Sequence, residues 1–151
     1  MKKCFYPLTN LILLALIISA CANQQSAQPT QTQECQYPAK WNIDFSRSGG
    51  FAGLSKTLTI SSDGKVVLQD LQKNEKHDVT ISQDELKKIA DLLAQACPFE
   101  GKRSENSCAD CFEYTLDVSM DGRRYTLKVN ELSVPENSAP LIGYLGTYFI
   151  K

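Results

Sequence analysis

The sequence predicts an α+β domain, a small twisted and mostly antiparallel sheet with one or two helices packed on one face. Three observations carry that expectation. Apolar and polar residues alternate in several separate stretches, the signature of half-buried strands. Turn-forming clusters, Ser61-Ser62-Asp63-Gly64 and Asp121-Gly122, join some of these stretches closely enough for hairpins. After Ser82 the apolar period lengthens from two residues to that of a helix.

Trp41, Ile43 and Phe45 alternate with Asn42, Asp44 and Ser46, giving a first strand to about Arg47. Leu58 and Ile60 mark a second. If Gly64 takes a left-handed conformation in a three-residue loop with a bulge, Ile60 faces Val66 and Leu58 faces Leu68. A two-residue turn would scramble the faces, so the bulged register is preferred. After the polar "QKNEK" a further strand, "HDVTI", ends at Ile81. Ser82-Gln83-Asp84-Glu85 then forms a capping box, with Ile81 and Leu86 spaced as a hydrophobic staple. Leu86, Ile89, Ala90 and Leu93 follow on one helical face, and Pro98 stops the helix near Cys97. The polar stretch "FEGKRSENSCAD" is a loop that bridged cysteines would order. Phe112 to Met120 alternates again, and a type I′ turn at Asp121-Gly122 pairs Val118 with Tyr125, Leu116 with Leu127 and Tyr114 with Val129. Pro140 suits the first turn of a last helix, Leu141 to about Ile150, which Gly143 and Gly146 weaken.

Ahead of this domain lies a different kind of sequence. Met1-Lys2-Lys3 precedes an apolar run from Leu11 to Ala20, too short to span a bilayer and typical of a secretory signal. Ile18-Ser19-Ala20-Cys21 resembles the lipobox of bacterial lipoproteins, in which the cysteine receives a diacylglycerol and the chain is cleaved just before it. That resemblance implies a membrane anchor at Cys21. With Ala22, not aspartate, following the cysteine, it implies an outer-membrane location facing the periplasm. Residues 21–36, poor in apolar bulk, read as the lipidated end and a flexible tether with a reach of roughly 20–25 Å. Residues 37–151 then make one α+β domain. Loss of Lys2 and Lys3 with the signal takes 16 basic residues to 14 against 17 acidic ones, a net charge of about −3. Nucleic acid is therefore not an expected partner.

Beyond Cys4 and Cys21, four cysteines remain, Cys35, Cys97, Cys108 and Cys111, and an oxidising compartment makes them disulfide candidates. The expected pattern joins Cys97 to Cys108 or Cys111 and Cys35 to the other. A redox-active Cys108-x-x-Cys111 is disfavoured because the motif runs into a strand pattern instead of opening a helix. Zinc held by Cys97, Cys108, Cys111 and either Cys35 or His77 is disfavoured because the ligand spacing is irregular and the compartment oxidises thiols. No metal or cofactor is expected.

The loop Arg47-Ser48-Gly49-Gly50-Phe51-Ala52-Gly53 is the remaining singular feature. A phosphate cradle needs glycines leading from a strand into a helix, and here a strand follows, which argues against a nucleotide. Catalysis has little to draw on, because His77 is the single histidine and no partner is nominated for it. The chain reads as a non-enzyme. Two readings of the loop stay open: a long β-connection with Phe51 tucked inside, which is the default, and an exposed aromatic anchor for a protein partner.

A strand ending in arginine, then "SGGFAG", then the "LTISSDG" hairpin and a helix opened by a capping box resemble the emfourin-type proteins, small proteinaceous inhibitors of thermolysin-like metalloproteases. The likeness runs from about Trp41 to Ile150. It implies an α+β fold and a surface that binds a protein, a metalloprotease in the most specific version. The alternative is a structural or accessory component of a cell-envelope complex, which the anchor, the tether and the lack of a catalytic constellation would equally suit.

Overall fold

A computed structural model of the chain describes residues 38–99 and 108–150. The signal sequence, Cys21, the tether, Cys35 and residues 100–107 of the polar loop lie outside the described residues.

Six strands form one antiparallel sheet: β1 (Trp41–Gly49), β2 (Leu54–Ser61), β3 (Lys65–Asp70), β4 (Glu75–Thr80), β5 (Phe112–Met120) and β6 (Arg123–Asn130). Their spatial order is β4-β3-β2-β1-β5-β6. Helix α1 (Gln83–Ala96) and helix α2 (Ala139–Gly146), the latter followed by a 3-10 turn at Thr147–Phe149, complete the α+β architecture.

Both hairpins that local chemistry specifies have the expected register. Ile60 faces Val66 and Leu58 faces Leu68, with Gly64 at φ 92°. Val118 faces Tyr125, Leu116 faces Leu127 and Tyr114 faces Val129. The turn between β5 and β6 has Asp121 at φ 45° and Gly122 at φ 81°, the double left-handed geometry of a type I′ turn, whose twist matches that of the strands it joins.

One face of the sheet carries the core. Ile43 and Phe45 of β1 bury beside Leu58 and Ile60 of β2 and Leu116 and Val118 of β5. Against them pack Leu86, Ile89, Ala90 and Leu93 of α1 and Leu141 and Leu145 of α2. Phe45 lies at the centre of an aromatic stack, its ring 5.9 Å from Tyr114 and 5.5 Å from Phe149.

The start of α1 matches its sequence signal. Glu85 N donates to Ser82 Oγ while the Glu85 carboxylate accepts from Ser82 N, so two otherwise orphaned amides are satisfied. At the other end Asn137 Nδ2 donates to Ala96 O at 2.7 Å and to Pro98 O at 3.2 Å, a cap supplied from far along the chain.

Four details differ from the sequence-based expectation. Cys108 and Cys111 bond to each other, so neither is the partner of Cys97, which is disulfide-bonded elsewhere. The expected Cys97 pairing fails because Cys108 and Cys111 flank a tight turn that sets their Cα atoms 5.3 Å apart, within the range a disulfide spans. β1 runs two residues past Arg47, because Ser48 and Gly49 pair with both β2 and β5. β4 begins at Glu75 and includes part of the polar stretch, because pairing with β3 outweighs composition at an exposed edge. The last helix gives way after Gly146 to the 3-10 turn, consistent with the two glycines that weaken it.

A candidate protein-binding end of the sheet

In this strand order the β1–β2 loop, the β3–β4 turn, the segment entering β5 and the segment leaving β6 all meet at one end of the sheet. Backbone and side-chain hydrogen bonds tie them in a row. Gln72 Nε2 donates to Gly53 O at 2.6 Å, joining the β3–β4 turn to the glycine loop. Leu71 N adds a bond to Ser55 O at 2.9 Å. Gly50 N donates to Cys111 O at 3.2 Å, joining the glycine loop to the disulfide turn. Phe112 N then donates to Glu131 Oε2, and Glu131 N to Phe112 O, which joins that turn to the end of β6.

Within the motif the residues divide into builders and presenters. Arg47 lies on the core-bearing face with its guanidinium carbon 4.7 Å from the centre of the Phe112 ring and 5.3 Å from that of Phe149, a double cation–π contact. Beside it, burial raises the Tyr114 phenol above its ordinary range, opposed by the charge of Arg47. Ser48 continues β1 opposite Ser55 and Glu113.

Gly49 and Gly50 are demanded by close approach. A Cβ on Gly49 would fall 2.7 Å from Cys111 O, and one on Gly50 would fall 2.5 Å from the Phe112 ring. Both sit at positive φ, where a side chain would be strained in any case. Gly53 closes the loop by donating its amide to Gly50 O at 2.9 Å. The result is a tight turn that points Phe51 and Ala52 away from the sheet.

Phe51 is 97% exposed, so the default of a ring tucked into the core is corrected. The core had no vacancy for it: Phe45, Tyr114, Phe112 and Phe149 already occupy that end of the apolar face, and the Gly50 turn must face outward to clear the Phe112 ring. Two further apolar side chains share this end, Leu132 at 73% exposed and Leu71 at 56%. Sequence reasoning passed over both. Their signal was a lone leucine inside a polar turn, "DLQKNEK" and "NELSVPEN", where core packing gives it no reason to be.

The Cys108–Cys111 bridge closes the turn against which Gly49 and Gly50 pack, so of the disulfide candidates this pair belongs to the candidate site. Cys97 is the C-terminal cap residue of α1. His77 lies elsewhere, lining a groove of about 630 Å³ between the inner faces of β3 and β4 and the chain's last turn. No group of three or more His, Cys, Asp or Glu residues comes together to hold a metal among the described residues. No helix among them is long and apolar enough to cross a membrane.

The family model for Emfourin matches residues 45–146, about two thirds of the chain. The chain belongs to the emfourin family. The match takes in the whole of the glycine loop, the disulfide turn and both helices. No curated protein matches the sequence. Emfourin is an inhibitor domain family, and the match points to a protein-binding role. In this emfourin domain the row of hydrogen-bonded tips, with Phe51 at its most exposed point, is the surface best built for such a role.

Proposed function

We propose that this chain is a lipoprotein anchored in the outer membrane through Cys21, whose emfourin domain faces the periplasm and inhibits a thermolysin-like metalloprotease without catalysis of its own. The observation that carries the inhibitory reading is the full exposure of Phe51 on a loop held at both shoulders by hydrogen bonds. An aromatic side chain presented by a prebuilt loop gains contact area while losing little conformational entropy on binding. Leu71 and Leu132 flank it as weaker apolar contacts. A pinned loop is also a poor substrate, because a protease must draw a segment into an extended conformation before cutting it. The anchor reading is supported by the charged start, the short apolar run and the Ile18-Ser19-Ala20-Cys21 sequence.

The full chain, purified in mild detergent and titrated against a thermolysin-like metalloprotease, should abolish substrate cleavage at near one-to-one stoichiometry. A protease that stays active at micromolar excess, or that digests the domain, would sink the inhibitory reading and redirect the search to envelope partners. The anchor is tested separately: Cys21→Ser should release the protein from the membrane fraction, and unchanged fractionation would refute lipid attachment.

A further inference from the structure

Among the described residues the sheet ends in two edge strands, β4 and β6, and their charges differ. β6 carries Arg123, Arg124 and Lys128 and no acidic residue, so a second strand of like composition would meet cation with cation. β4 carries Glu75, Lys76, His77 and Asp78, with both signs in alternate positions, and all six of its residues are exposed. Lys76 and Asp78 point to the face away from the helices, since their partners on β3 are Gln69 and Val67 and not the core residues Val66 and Leu68. Their charged groups lie 3.5 Å apart, with side chains 54% and 55% exposed.

We propose that β4 is a second interface, at which two copies of this chain pair edge to edge in antiparallel fashion with His77 on the two-fold axis. In that register Lys76 stands opposite Asp78 of the second copy, and Asp78 opposite its Lys76. The two in-strand ion pairs become a square of alternating charge in which each cation borders two carboxylates. Registers shifted by one residue either way on each strand, which keep both helical layers on the same side, place Lys76 opposite Lys76 or Asp78 opposite Asp78 and are repelled. A one-residue shift in the pairing would turn the second copy over and lose the match of faces.

Charges on an edge strand ordinarily discourage pairing with other chains. Here the same charges favour one partner, the chain's own copy in one register, and disfavour others, which is how specificity is built against competitors. The pairing also suits the apolar side of the strand. Val79, half exposed, forms the outer wall of the groove that Leu68, Ile81 and the exposed Ile150 line, and the second copy's β4 would extend that wall. The interface is separate from the end of the sheet that carries Phe51, so a dimer would present two binding ends at once.

The test is a charge exchange read by sedimentation of the full chain in mild detergent, over protein concentrations from low to high micromolar. The wild type should show a concentration-dependent dimer that weakens with added salt. Asp78→Lys and Lys76→Asp should each weaken dimerisation about tenfold, because symmetry makes every substitution act twice. The double exchange, Lys76→Asp with Asp78→Lys, should restore it. Thermal unfolding of each variant shows that the fold is intact. A monomer at every concentration, a dimer indifferent to the single substitutions, or failure of the double exchange to rescue would each overturn the proposal. None of these outcomes depends on protease inhibition, so this interface and the inhibitory reading stand or fall separately.

Discussion

At the end of the sheet where β2 turns into β3 and β5 into β6, the connections are short and polar, and each turn closes on hydrogen bonds of its own besides those from Lys40 and Trp41 at the start of β1. Asp63 accepts from Ser61 Oγ and from Lys65 N within its own turn, Asp121-Gly122 closes a two-residue hairpin, and Ser82 caps α1 beside them. The opposite end is built from long-range contacts. Gly53 depends on Gln72, Gly50 on Cys111, and Phe112 on Glu131, and over these bonds stand three exposed apolar side chains. The first end is shaped chiefly by local turn and cap chemistry. The second holds an apolar surface in place that stability alone would not maintain, since an exposed phenylalanine contributes almost nothing to folding.

If that division is right, substitutions at the two ends should separate binding from stability. The largest effect expected is on Phe51→Ala, which should weaken protease inhibition by about 2 kcal/mol or more while leaving the melting temperature unchanged. An unchanged inhibition constant would remove Phe51 as the anchor. Gly49→Ala comes next and should affect both properties. Its Cβ would meet Cys111 O at 2.7 Å, so backbone must shift, and a loss of roughly 1–3 kcal/mol in stability should accompany weaker inhibition. Chemical denaturation and inhibition titrations on the same preparation check both.

At the polar end, Ser82→Ala should lower stability by about 1 kcal/mol through loss of the cap, with inhibition untouched. A variant that also lost inhibition would show the two ends to be coupled. The smallest effects belong to the flanking leucines. Leu71→Ser and Leu132→Ser should each weaken inhibition only a few-fold, as peripheral contacts do, with no change in unfolding. An effect equal to that of Phe51→Ala would shift the centre of the interface toward them.

How far each end was legible in the sequence follows the same division. The hairpin registers were readable because turn chemistry and alternation agree: Asp121-Gly122 admits a type I′ turn, and that turn sets Leu116 directly opposite Leu127 on one face. The capping box was readable because its partners are three residues apart. The glycine loop stood out as a motif, yet its meaning did not. Nothing near Gly49 in sequence says that the carbonyl of Cys111 will lie against it, and nothing near Phe51 says that Phe45, Phe112 and Phe149 have filled the core first. The cysteines misled for a related reason. The expected pairing favoured bridges that close long loops, whereas Cys108 and Cys111 are joined across a turn of their own.

By itself the sequence determined the α+β class, the hairpin faces and the start of the first helix, all features settled by groups within a few residues of one another. Tertiary structure alone decided that four connections distant in sequence meet at one end of the sheet, that Arg47 serves the architecture by bridging two aromatic rings, and that Phe51 is left outside. The physical reason is the range of the interactions. Turn geometry and capping act within a few bonds, but whether a side chain is buried depends on what every other strand and helix has already placed in the core.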